Sequence, residues 1–149
     1  EFDGAIRADP DMALAYYNRG QANFKLDRFE EAESGYGQAA TLDTGSSLFN
    51  TKRGDVYVSL GQYEQAVQEQ NQIINRDSEF ALAYYNRGGA YFELGRRDEA
   101  IQDFEKAIEL DPAYAFAYSN RSFAYSELGQ HAKAEADKVK ACSLNRELC

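Results

Sequence analysis

The octapeptide ALAYYNRG stands at residues 13–20 and again at 81–88, an offset of 68. Halving that offset exposes weaker copies. YYNRG from Tyr16, NTKRG from Asn50, YYNRG from Tyr84 and YSNRS from Tyr118 follow one another at intervals of 34 with no insertion. A fixed period of this kind constrains the fold more than composition can. Each repeat is one supersecondary unit that buries its apolar face only against its neighbours. The spacing predicts four full units, at 13–46, 47–80, 81–114 and 115–149, the last carrying one extra residue. Residues 1–12 read as the tail of a preceding repeat, because Phe2, Ala5 and Pro10 fall in the places of Phe104, Ala107 and Pro112.

Each unit divides into two helical halves. In the third, Tyr84, Gly88, Tyr91 and Leu94 share one stripe at helical spacing, and Gly95 suits a helix C-terminus. Ala100, Ile101, Phe104, Ala107 and Ile108 make the apolar stripe of a second helix opening at Asp98, and Asp111-Pro112 closes it. The small residues Gly88 and Ala100 predict a close approach of the two backbones. Gly35 and Gly37 fall within the second helix of the first unit, where each costs about 1 kcal/mol of helix propensity against Ala. Tight packing that wants glycine explains them better than a locally loose helix. The chain has only two prolines, which agrees with long uninterrupted helices.

The pattern resembles the tetratricopeptide repeat, a helix–turn–helix unit of about 34 residues with aromatic, Gly, Tyr, Ala, Phe and Pro at set places. The third unit carries Tyr84, Gly88, Tyr91, Ala100, Phe104, Ala107 and Pro112 in those places. The other units depart from it. Thr44, Ser78 and Arg146 replace the closing Pro, Asn50 replaces the opening aromatic, and Gln70 and Lys138 replace the later one. The resemblance implies an all-α, right-handed superhelical solenoid of antiparallel helix pairs. It also implies a concave groove, lined by the first helix of each unit, that holds a protein or peptide.

By that resemblance the groove-facing residues are Leu14, Tyr17, Asn18 and Gln21 in the first unit, and Leu48, Thr51, Lys52 and Asp55 in the second. In the third they are Leu82, Tyr85, Asn86 and Gly89, and in the fourth Phe116, Ser119, Asn120 and Phe123. Asn18, Lys52, Asn86 and Asn120 share one place. A carboxamide offers both donor and acceptor, so such a ladder could hold a peptide backbone whatever its side chains. Alternatively the Asn residues serve a local helix–helix contact. Lys52 interrupts the ladder and could anchor a carboxylate. The family's clamp for acidic chaperone tails needs several cations in these helices. Tyr17, Leu48 and Leu82 stand where such a clamp wants polar or charged groups, which argues against it. Arg19, Arg53, Arg87 and Arg121 follow the ladder but point about 100° away from it, and are expected to pair with acidic residues on neighbouring helices.

The remaining features are mostly exclusions. A formal net charge of −9 argues against a nucleic-acid partner. No apolar run approaches the roughly 18 residues that would span a bilayer, so membrane insertion is not expected. His131 is the single histidine and reads as a solvated loop residue. With no catalytic or metal-ligand spacing in the chain, neither catalysis nor a cofactor nor a metal is expected. Cys142 and Cys149 are either two independent thiols or one bridge across a turn, and a bridge would argue for an oxidising compartment. The last helix has Glu135 and Lys138 where the third unit has Ile101 and Phe104, and reads as a polar C-terminal cap. A second reading of the whole chain is self-assembly through an apolar repeat edge at the N-terminal side. A third is a regulatory arm of a larger enzyme.

Overall fold

The computed structural model describes residues 11–149. The expected preceding-repeat tail at Phe2, Ala5 and Pro10 lies outside the described residues, as does most of the edge invoked for self-assembly. Within them the chain forms α1 (Ala13–Phe24), α2 (Phe29–Leu42), α3 (Ser47–Ser59), α4 (Tyr63–Arg76), α5 (Ala81–Glu93), α6 (Arg97–Leu110), α7 (Ala115–Glu127) and α8 (His131–Leu144), then a 3-10 turn over Arg146–Leu148. The described residues contain no strand. The chain is an all-α helical solenoid.

The turns recur with the sequence period. Within repeats two to four the first helix ends on a left-handed Gly61, Gly95 or Gly129, at φ 70°, 78° and 71°. At the third of these, the Arg96 N–H reaches back to the Tyr91 carbonyl at 2.9 Å and the Gly95 N–H to that of Phe92 at 3.0 Å, satisfying carbonyls that the helix end would otherwise orphan. In the first repeat Asp27 takes the same conformation at φ 56°, which a short polar side chain tolerates. Between repeats, Asp43, Asp77, Asp111 and Asn145 each accept the N–H two residues on, from Gly45, Glu79, Ala113 and Glu147. That local bond holds the chain in a turn where a proline stands in only one of the four. None of the first helices has a side-chain N-cap. Their stability comes from tertiary packing of one face rather than from capping.

The chain divides into two compact units, residues 1–69 and 70–149, with the division inside α4. In the first, α1 packs on α2 and α2 on α3. Ala32, Tyr36 and Val56 are buried there with Tyr17, Phe24, Phe29 and Leu60 against them. In the second, α5 packs on α6, α6 on α7 and α7 on α8. Ile101, Ala124, Tyr125 and Ala134 form a core there with Phe92.

Glycine sets the helix spacing in both. A Cβ on Gly88 would lie 2.8 Å from the Phe104 ring and 3.2 Å from the Ala100 carbonyl. A Cβ on Gly35 would lie 2.8 Å from the Gly20 backbone, so α2 runs unbroken because its glycine is where two backbones touch. In the fourth repeat Ser122 stands in the place of Gly88 and Lys138 in that of Phe104. The Ser122 hydroxyl donates to the Ala134 carbonyl at 2.8 Å, and Lys138 lies out in solvent.

Candidate functional site

The arginine row is a structural spine. Arg87 makes a two-pronged ion pair with Asp103 at 2.7 Å, and Arg121 makes the same pair with Asp137 at 2.7 Å. Both carboxylates are buried, and two-pronged guanidinium geometry satisfies both oxygens at once. Arg53 reaches Glu69 by a single bond of 2.5 Å, and Arg53 Nε and Glu69 Oε2 have no partner among the described residues. The longer glutamate does not reproduce the aspartate's geometry. In the first repeat Gly35 occupies the acid's place, and Arg19 lies over the Tyr16 ring at 5.2 Å.

The same arginines bind the preceding repeat. Arg87 Nη1 donates to Asn71 at 2.6 Å, and Arg121 lies 3.9 Å from Glu105, which also accepts the Tyr125 hydroxyl at 3.0 Å. Tyr57 donates to Glu33 at 2.9 Å in the first unit. The Asp103 hydrogen bond raises the Arg87 pKa against the effect of burial, and Asp137 does the same for Arg121. Both guanidiniums are therefore fixed cations of the scaffold, engaged inside it.

The expected groove residues divide by their second neighbours. Leu14, Leu48, Leu82 and Phe116 stand second in the four first helices and are all exposed. Tyr17 and Tyr85 are half-buried instead. Tyr17 lies between the Tyr36 and Phe49 rings at 5.6 and 5.2 Å, and Tyr85 packs on Phe104 at 6.0 Å and Tyr114 at 4.9 Å. Burial raises the Tyr85 hydroxyl's pKa, and its bond with Asn120 works the other way. Burial, with Tyr17 and then Asp55 nearby, pushes Tyr36 up to about 12. These rings are largely claimed by the protein's own core.

The Asn ladder is likewise uneven. Asn120 donates to the Tyr85 hydroxyl at 3.1 Å, a helix–helix contact across the second unit. Asn18 and Asn86 are half-buried and make no side-chain hydrogen bond among the described residues. Lys52 already has a carboxylate, Asp55 one turn away at 2.9 Å, with both side chains about a third exposed (38% and 35%).

Two clefts collect the rest. In the first unit, Gln21, Lys52 and Asp55 line a cleft of about 240 Å³ with Phe24, Lys25 and Tyr36. In the second unit, Gly89, Asn120 and Phe123 line one of about 410 Å³ with Phe92, Phe104, Glu93, Ser126 and Glu127. Leu14, Leu48, Leu82 and Phe116 line neither. The residues that sequence reasoning missed are those ending the first helices, Glu93 and Glu127. Their signal was available, since Lys25, Ser59, Glu93 and Glu127 recur at the repeat's own spacing.

At the C-terminus the chain turns back after α8 and Cys142 bonds Cys149, with Cα atoms 4.7 Å apart. This carries Leu148 into a further cleft of about 350 Å³ beside Ser119, Phe123 and Lys138. His131 also lines it, as the exposed first residue of α8 rather than a loop residue. Among the described residues no helix is long and apolar enough to cross a membrane, and no cluster of three or more metal-binding side chains occurs.

Family models described as tetratricopeptide repeat match residues 1–47, 81–114 and 104–136, and one described as TPR repeat matches residues 54–95. The chain belongs to the tetratricopeptide repeat family. No curated protein matches it in sequence. Among solved structures it is similar to the 41-end form of MamA from Desulfovibrio magneticus RS-1, at 21% identity over 98% of this chain and 82% of that one, with a TM-score of 0.87. It is similar to YrrB, described as a TPR protein with an unusual peptide-binding site, at 24% identity over 97% of this chain and 75% of that one, with a TM-score of 0.79. A third is the first TPR of Spaghetti bound to an HSP90 peptide, at 26% identity over 78% of this chain and 93% of that one, with a TM-score of 0.74. The family models and these structures agree on a helical repeat protein.

Proposed function

We propose that the chain is a protein- or peptide-binding scaffold that uses the face presented by its first helices. One observation carries this reading: each first helix exposes a large apolar side chain at its second residue, Leu14, Leu48, Leu82 and Phe116. Core packing does not use these positions, and their recurrence at one place in every first helix gives each repeat apolar area for a partner. Asn18 and Asn86 add unclaimed carboxamides on the same helices, and the two clefts add concavity. Two of the similar structures carry peptide binding in their descriptions, which supports the same role here.

The test is affinity capture from native lysate with the wild type, Lys52→Glu and Asn86→Ala in parallel, the captured proteins being quantified by mass spectrometry. Each substitution lies outside the buried Arg–acid pairs, so helicity stays at the wild-type level. The expected outcome is the loss of a discrete captured protein by both variants. Undiminished capture by both, at unchanged helicity, refutes use of this face.

A further inference from the structure

Gly88 and Gly89 are adjacent in the middle of α5, and the fold requires only the first. A Cβ on Gly88 collides with Phe104, whereas a Cβ on Gly89 meets nothing within 4 Å. A mid-helix glycine costs about 1 kcal/mol against alanine. At Gly89 no internal contact offsets that cost. Glycine also serves where a ligand must approach the backbone closely, and Gly89 faces the 410 Å³ cleft of the second unit. The cleft lies within the size range of ligand sites. It is floored by the Phe92 and Phe104 rings and flanked by Phe123, which is 62% exposed.

The rim has a definite charge. Glu93 and Glu127 are the last helical residues of α5 and α7. A carboxylate there faces the negative end of its own helix dipole, an unfavourable position that a nearby cation relieves. Glu93 makes no ion pair among the described residues. Glu127 pairs with Arg97, but that guanidinium is committed. It lies 4.0 Å over the Phe92 ring and donates to the Phe92 carbonyl as well. Two carboxylates thus stand at the mouth of an aromatic cleft, one of them paired with an already engaged cation, in a chain of net charge −9.

Building on the scaffold reading above, we infer that this cleft receives a bulky apolar side chain from a partner segment whose neighbouring residues are Lys or Arg. The apolar side chain enters the space that Gly89 leaves open, against Phe92 and Phe123. The flanking cations meet Glu93 and Glu127. This partner has the opposite charge to the acidic tails gripped by the family's cationic clamp.

The probes are three pools of fluorescein-labelled peptides with a central Leu or Phe, flanked by Lys, by Ser or by Glu, read by fluorescence anisotropy. The Lys-flanked pool is expected to bind about tenfold more tightly than the Ser-flanked pool, with added salt narrowing the gap. Gly89→Leu fills the cleft and abolishes binding while helicity and Tm are kept or raised. Glu93→Gln narrows the gap between the Lys-flanked and Ser-flanked pools, and Glu93→Gln with Glu127→Gln closes it. Equal binding of all three pools, or Gly89→Leu binding like the wild type, overturns the inference and leaves the scaffold reading standing. Failure of every pool to bind overturns the inference, and the scaffold reading then stands or falls by the capture experiment. Self-association that Gly89→Leu abolishes assigns the cleft to a second copy and overturns the basic partner.

Discussion

At the scale of single residues, two adjacent glycines do opposite things to stability. Alanine at Gly88 brings a methyl to within 2.8 Å of the buried Phe104 ring, which must shift to admit it. Overpacking of that kind costs about 1–3 kcal/mol, offset by about 1 kcal/mol of regained helix propensity. Gly88→Ala is therefore expected to lower Tm by a few degrees, and Gly89→Ala to raise it by a similar amount. Thermal melts of both variants check this. A fall in both would mean that Gly89 has a structural role after all, and a rise in both that the α5–α6 contact is soft. Ser122 shows how the fold itself accommodates the change. A side chain entered that place only where Lys138 had replaced the aromatic, and the new hydroxyl took the Ala134 carbonyl as its partner.

At the scale of elements, the helix pair and its two turns were legible because each rests on local chemistry. The left-handed glycine and the Leu before it end the first helix, and the Asp that accepts from two residues on ends the second. The second helix of the third repeat begins at Arg97, one residue before the Asp98 expected to open it. What single elements could not reveal was which side chains the core would claim. Tyr17 and Tyr85, expected along the groove, are half-buried against Tyr36 and Phe104. The placement of those partners depends on helix spacing, which is a tertiary quantity. The bridge between Cys142 and Cys149 was equally open in the sequence, because proximity depends on how Asn145 turns the chain. It ties the 3-10 turn to α8, which alone offers little apolar surface. Loop-closure entropy for so short a loop suggests a contribution of about 2–3 kcal/mol to holding the tail. Reducing the bridge, or Cys149→Ser, is expected to speed hydrogen exchange at the Leu148 and Cys149 amides, which donate to Asn145 and Arg146. Protection in α5 and α6 stays unchanged. Equal protection of the tail in both redox states would show that Leu148 packing alone holds it.

At the scale of the whole chain, the period carried most of the information. It carried the number of helix pairs and the expectation that the arginines pair with acids on neighbouring helices, which Arg87 and Arg121 do with Asp103 and Asp137. It did not fix chemistry at the clefts, because that lies in the places where repeats differ: Lys25, Ser59, Glu93 and Glu127 occupy one place and carry three kinds of charge. A period also dictates how such a chain loses its structure. In a repeat array, stability is close to a sum of each repeat's own stability and its nearest-neighbour interfaces. Damage to the last repeat therefore stays near it. Asp137→Ala leaves the Arg121 guanidinium, only 16% exposed, without its two-pronged partner. Removing one member of such a buried pair costs about 3–5 kcal/mol. Glu105, 3.9 Å away, recovers only part of that. Native-state hydrogen exchange of the variant is expected to show α7 and α8 opening about a hundredfold or more faster. α1 and α2, held by Tyr36 against Gly20 and by Ala32, keep wild-type protection. Uniform loss of protection from α1 to α8 would mean that the chain unfolds as one cooperative body, and the additive description of its repeats would fail.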